Sequence, residues 1–151
     1  MLDALEIRFG LAGERAALES LQLRASLIWE AQRALLTAAA ISLTENAIEQ
    51  QRVRVALVDG ERVGFAEWVV VSEHEWELEG LFVEPAIMRR GIGGRLVQDV
   101  FALARVAGVR RVGLIAEPHA GAFYERQGFV REGDVATRFG PALRMGASLA
   151  G

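Results

Sequence analysis

The 151-residue chain contains no cysteine and no lysine; all 17 of its basic residues are arginine. Without cysteine there is no disulfide frame, no thiolate metal cluster and no acyl-cysteine intermediate. Without lysine there is no Schiff-base chemistry, and the phosphate-binding P-loop, whose lysine reaches the terminal phosphates, is excluded. The two histidines, His74 and His119, have no partner at metal-ligand spacing, so no metal site is expected. An excess of positive charge is also missing: 20 acidic residues leave a formal charge of −3, the wrong sign for a general nucleic-acid binder. Long hydrophobic runs are missing too. The longest, Ala34 to Leu43, is interrupted by Thr37 and Ser42 and is too short to span a bilayer. The opening "MLDALEIRFG" does not resemble a signal peptide. These absences point to a soluble, cytoplasmic protein with no membrane and no nucleic acid among its partners.

What remains is enough apolar material, 52% of residues, to build the core of a single domain over residues 1–151. Leu5 to Phe9 suits a short strand, and Gly13 onward suits a helix with Leu18, Leu21, Ala25 and Ile28 on one face. Ser42 and Glu45 have capping-box spacing, which predicts a short helix from Leu43 to about Gln51. The period then changes. Val53, Val55 and Leu57 alternate with their neighbours, Asp59-Gly60 is a hairpin signal, and Val63 to Val71 and Glu75 to Val83 complete an antiparallel meander that Pro85 ends. Ile92, Leu96, Val100, Leu103 and Ala107 share a helical face that stops at Gly108, and Arg111 to Ala116 is the next strand. Strand, helix and strand make a βαβ unit whose two strands should be parallel. A short helix from about His119 to Gln127 and strands Phe129 to Asp134 and Ala142 to Leu149 close the chain.

The most informative stretch is "MRRGIGGRL", Met88 to Leu96, which joins the third meander strand to the helix. Glycine permits close approach of backbone to a ligand, arginine supplies fixed positive charge, and the first amides of a helix lack partners. At a helix start this combination makes an anion site. The competing reading is an ordinary turn. A dinucleotide fold fits less well, because the third glycine of Gly-x-Gly-x-x-Gly would fall at Leu96.

With "LFVEPAIMRRGIGGRLV" followed by "AFYERQGF", the chain resembles the GNAT acyltransferase superfamily, whose loop motif is (Gln/Arg)-x-x-Gly-x-(Gly/Ala). Met88 stands where that motif has Gln or Arg, so the loop's remaining donors would be backbone amides. The resemblance implies an α/β fold of GNAT type: a mixed central β-sheet, with an antiparallel N-terminal meander, then a βαβ unit, flanked by helices. It implies acetyl-CoA as cosubstrate, with pantetheine between the fourth and fifth strands and the pyrophosphate on Met88, Arg89, Arg90, Gly91, Ile92, Gly93 and Gly94. Leu81, Phe82 and Val83 would offer backbone groups to the pantetheine arm while their side chains serve the core. His119 and Phe123 are further candidates for the coenzyme, His119 alternatively capping its helix. An unidentified amine is the implied acceptor, and a homodimer is compatible with the resemblance.

Chemistry at the acceptor side needs a base and an acid. An amine is largely protonated at neutral pH, so a carboxylate acting directly or through water could assist its deprotonation. Glu75, Glu77 and Glu79 alternate on one face of the strand. Glu77 and Glu79 are the candidates, with a solvated surface as the alternative; the set of three also hints at a cationic acceptor. Tyr124, the single tyrosine, could protonate the departing thiolate or could simply pack beside Phe123. The expected activity is direct acetyl transfer to an amine. A non-catalytic acyl-CoA-binding sensor or subunit with the same fold is the alternative.

Overall fold

The computed structural model of the protein describes residues 4–26, 46–87, 90–137 and 140–149. Its strands are β1 (Leu5–Phe9), β2 (Val53–Val58), β3 (Glu61–Ser72), β4 (Glu75–Val83), β5 (Arg111–Ala116), β6 (Val130–Thr137) and β7 (Gly140–Ser148). Its α-helices among the described residues are α1 (Arg15–Ser26), α2 (Ile92–Val106) and α3 (Gly121–Gln127). The seven strands form one mixed sheet in the order β1-β2-β3-β4-β5-β7-β6. The α/β mixed-sheet expectation is therefore met. β4 and β5 are parallel, as the βαβ reading requires, and β1–β2, β2–β3, β5–β7 and β6–β7 pair antiparallel.

The chain divides into two compact units, Met1–Glu67 with Gly80–Leu96, and Trp68–Glu79 with Val97–Gly151. In the first unit, Leu18 and Leu21 of α1 pack with Val53, Val55 and Leu57 of β2 and Phe65 of β3, joined by Ala47 and Ile48. Asp59 and Gly60 both adopt positive φ, at 51° and 82°, as a tight two-residue hairpin turn demands. The helix expected up to Gln51 is a set of turns over residues 46–51, closed by Gln50 N–H to Asn46 O at 2.9 Å. Ser42 and Glu45, which suggested it, lie outside the described residues, as does Ile28.

In the second unit, Val100, Phe101 and Ala104 of α2, Val112 and Leu114 of β5, and Met145 and Ala147 of β7 are buried. The α2 stripe differs from expectation at its end: Phe101 and Ala104 are buried, while Ala107 is exposed beyond the last helical residue. Gly108 at φ 81° and Gly128 at φ 110° end α2 and α3 in the left-handed conformation that glycine alone takes without cost. β6 and β7 are longer than the alternation suggested, because Gly133 and Gly140 at positive φ carry the chain through irregularities that sequence periodicity does not register.

One detail of β4 affects everything after it. Trp76 stacks on Trp68 with centroids 4.8 Å apart, and Phe82 contacts Phe65 at 5.3 Å. Phe65 and Trp68 are an odd number of residues apart and face opposite sides, whereas Trp76 and Phe82 would share a side under strict alternation. β3 or β4 therefore departs from alternation between these contacts, as a bulge does.

Candidate active site

The first group of candidate residues runs from the end of β4 through the glycine turn to the start of α2. Glu84 N–H donates to Val63 O at 2.8 Å, which fixes the β3-facing edge of β4. Backbone groups alternate along a strand, so Phe82 also faces β3, and the amides and carbonyls of Leu81 and Val83 point to the opposite edge. The ladder from β4 to β5 runs only from Glu75↔Arg111 to Leu78↔Leu114. Phe82 thus contributes a ring, folded back over Gly80 and against Phe65.

Beyond a 3-10 turn at Pro85–Ile87, Met88 and Arg89 lie outside the described residues. Arg90 is exposed, and Gly91 takes φ 80°, the conformation that makes glycine necessary there. Ile92 is buried and anchors the helix start. Arg95 N–H donates to Gly91 O at 3.0 Å and so opens the intrahelical ladder. The amides of Ile92, Gly93 and Gly94 precede it and have no helical carbonyl to bond. No acidic residue stands in this first turn to occupy them. The charge balance of a helix N-terminus favours an anion at this point.

A contact that sequence reasoning missed holds the same strand end. Arg24, in the last turn of α1, places its guanidinium on Glu84, with Nη2 2.8 Å and Nε 3.2 Å from Oε2. Ser20 Oγ accepts a further bond from Arg24 at 2.8 Å.

The second group lies on β4, β5 and α3. Glu75 belongs to a surface network: Arg111 donates to its Oε2 at 3.2 Å and to Glu132 through two nitrogens. That engagement removes Glu75 from the set of three carboxylates read as a hint of a cationic acceptor. Glu77 is half-buried and enters no ion pair among the described residues, while Glu79 is exposed. Tyr124 sits on α3, edge-on to both Phe123 (5.0 Å) and Phe129 (5.6 Å). The residue is half-buried as a whole, yet desolvation raises its phenol to about 12, so the hydroxyl keeps its proton throughout the neutral range. No hydrogen bond from this hydroxyl is present among the described residues. His119 is exposed in a 3-10 turn, Pro118–Ala120, that precedes α3. The α3 N-cap is Ala120, with no side-chain cap, so the capping role considered for His119 is not what the structure shows. Among the described residues no cluster of three or more His, Asp or Glu could hold a metal ion, and no helix is long and apolar enough to cross a membrane.

A family model described as the GNAT acetyltransferase domain matches residues 49–131, just over half of the chain. The chain belongs to the GNAT acetyltransferase family. The matched stretch contains the β4 end, the glycine turn, α2 and Tyr124. Solved structures agree with this GNAT fold over nearly the full length. Ard1 from Thermoplasma volcanium has a TM-score of 0.76 at 18% identity, covering 98% of this chain and 99% of its own. An aminoglycoside 6'-N-acetyltransferase complexed with coenzyme A gives 0.75 at 19%, covering 97% and 98%. The PaiA N-acetyltransferase from Thermoplasma acidophilum, also in complex with coenzyme A, gives 0.73 at 17%, covering 95% and 98%. At such identities the likeness establishes the fold of this GNAT domain. No curated protein matches it in sequence.

Proposed function

We propose that this GNAT domain transfers an acetyl group directly from acetyl-CoA to an amine. The observation that carries the reading is the pair of backbone sets in one unit: the outward groups of Leu81 and Val83 at the end of β4, and the first-turn amides of Ile92, Gly93 and Gly94 that precede the helical ladder. An amide-rich pantetheine arm suits the strand, and a pyrophosphate suits the helix start, with the exposed Arg90 adding charge there and Arg89, the residue before it in sequence, proposed to do the same. His119 and Phe123 stay candidates for further coenzyme contacts.

In the proposed reaction the neutral amine attacks the thioester carbonyl; a C–N bond forms, the C–S bond breaks with its electron pair leaving on sulfur, and the nitrogen releases its extra proton to solvent to give the neutral amide. Glu77, half-buried and without an ionic partner among the described residues, is the first candidate to take the ammonium proton, and Glu79 is the second. Tyr124, read from the sequence as a possible acid, is the proposed hydrogen-bond donor to the leaving sulfur. A phenol at about 12 facing a thiolate near 8.5 cannot hand over its proton downhill. Its contribution is a hydrogen bond to the sulfur as charge develops, with solvent completing protonation.

Acetyl-CoA titration by calorimetry, followed by thiol release with a panel of amines, tests the whole reading. Saturable binding with thiol release for at least one amine supports it. Binding without release from any amine would leave the protein a coenzyme-binding module, and no binding would remove the proposal.

A further inference from the structure

Gly64, in the middle of β3, lies in no motif, yet it stands where the strand end and the helix start come together. A Cβ built on Gly64 would lie 2.8 Å from the carbonyl oxygen of Phe82, 3.2 Å from Leu96 Cδ1 and 3.5 Å from Ile92 Cγ2. The first contact is to backbone, so no side-chain rotation relieves it. Its neighbour Val63 accepts the hydrogen bond from Glu84 N–H at 2.8 Å. Val63 and Gly64 therefore form a seat: one holds β4 by a hydrogen bond, and the other admits both the Phe82 carbonyl and the first turn of α2 by having no side chain. Gly64 does not have positive φ, so turn geometry does not explain the glycine.

We infer that Gly64 is a positioning residue for the coenzyme. It never touches the ligand; it sets the depth at which the backbone of Leu81 and Val83 and the amides of Ile92 to Gly94 are presented. The inference rests on the coenzyme-binding reading of those groups. A side chain at position 64 would press on the Phe82 carbonyl, a backbone group that must shift to admit it, and would crowd the Leu96 side chain of α2. Misaligning one or two backbone hydrogen bonds to the coenzyme, each worth about 1 kcal/mol, is expected to cost roughly tenfold in affinity.

The test is acetyl-CoA affinity of Gly64→Ala, measured by calorimetry well below its melting temperature, beside Val55→Ala as a control. Val55 is fully buried in the core on which Phe82 packs and carries none of the backbone groups assigned to the coenzyme. Both variants lose stability. Only Gly64→Ala is expected to lose affinity, by roughly tenfold, while Val55→Ala stays within about twofold of wild type. If Gly64→Ala alone does not fold, the same substitution is made in a Leu96→Ala background, which clears the 3.2 Å contact and leaves the Phe82 carbonyl contact; the baseline is then Leu96→Ala. A folded protein with alanine at position 64 and baseline affinity overturns the inference, as does an equal loss in Val55→Ala. Failure of wild type to bind acetyl-CoA would instead overturn the functional reading itself.

Discussion

Glu14 should set the acid limit of the fold. Its side chain is only 4% exposed and accepts four hydrogen bonds: Arg8 Nη1 and Nη2 at 2.9 and 2.8 Å, Arg62 Nε at 2.6 Å, and the Leu11 amide at 2.7 Å. The Arg8 guanidinium, then Arg62 and the amide, outweigh desolvation and hold the carboxyl down from 4.5 to about 2. At about 1.36 kcal/mol per unit, this shift bounds the contribution near 3 kcal/mol. Arg8 and Arg62 are themselves 25% and 43% exposed, so solvent screening lowers the figure to roughly 2 kcal/mol. The sign follows from the direction. The folded carboxyl is the stronger acid, so stabilisation is complete above the unfolded value near 4.5 and drains away as pH falls toward 2. Glu14→Gln keeps the shape and removes the charge. It is expected to melt roughly 4–8 °C lower than wild type at pH 7, taking 2–4 °C per kcal/mol for a chain of this size. The gap should narrow as the pH is lowered through 4. Thermal melts of both proteins from pH 7 to pH 3 measure this directly. A constant gap across that range, or none at pH 7, refutes the assignment.

Three other outcomes bear on the site. Tyr124→Phe should leave acetyl-CoA affinity nearly unchanged and lower turnover by about 10²-fold, the scale for losing one hydrogen-bond donor to developing charge; turnover within twofold of wild type returns the residue to packing. The phenol at about 12 also predicts no loss of wild-type turnover near pH 10 from tyrosine ionisation, which a pH–rate profile would reveal. Glu77→Gln should reduce turnover more than Glu79→Gln, with partial recovery as the amine loses its proton at high pH; full activity in both leaves these carboxylates as solvated surface. Replacing Arg89 and Arg90 together by Glu should weaken acetyl-CoA binding and its salt dependence while barely moving the melting temperature, and unaltered affinity by calorimetry removes the arginines from the phosphate site.

The fold was most legible where local chemistry decides it. Asp59-Gly60 announces its turn because few residues tolerate positive φ, and the glycine turn at Gly91 announces a helix start for the same reason. Features set by distant partners were not legible. Arg24 and Glu84 are 60 residues apart and carry no mark of their pairing. Glu75 looked identical to Glu77 and Glu79 until the fold brought Arg111 to it. His119 was placed in the helix because a 3-10 turn and a first α-turn share the same residues by type.

The described ion pairs at Glu14, Glu19, Glu75, Glu84, Glu125 and Glu132 all take their positive partner from arginine. Under the proposed transfer from an activated acyl donor, this choice has a consequence beyond geometry. Free acyl thioesters slowly modify exposed amines, and each modified lysine would lose its charge and its bridge. A guanidinium stays protonated at every physiological pH and offers no nucleophilic lone pair. With no lysine anywhere in the sequence, these electrostatic ties are immune to self-acylation by the reagent in hand. The arrangement keeps its charges however high the local concentration of donor rises.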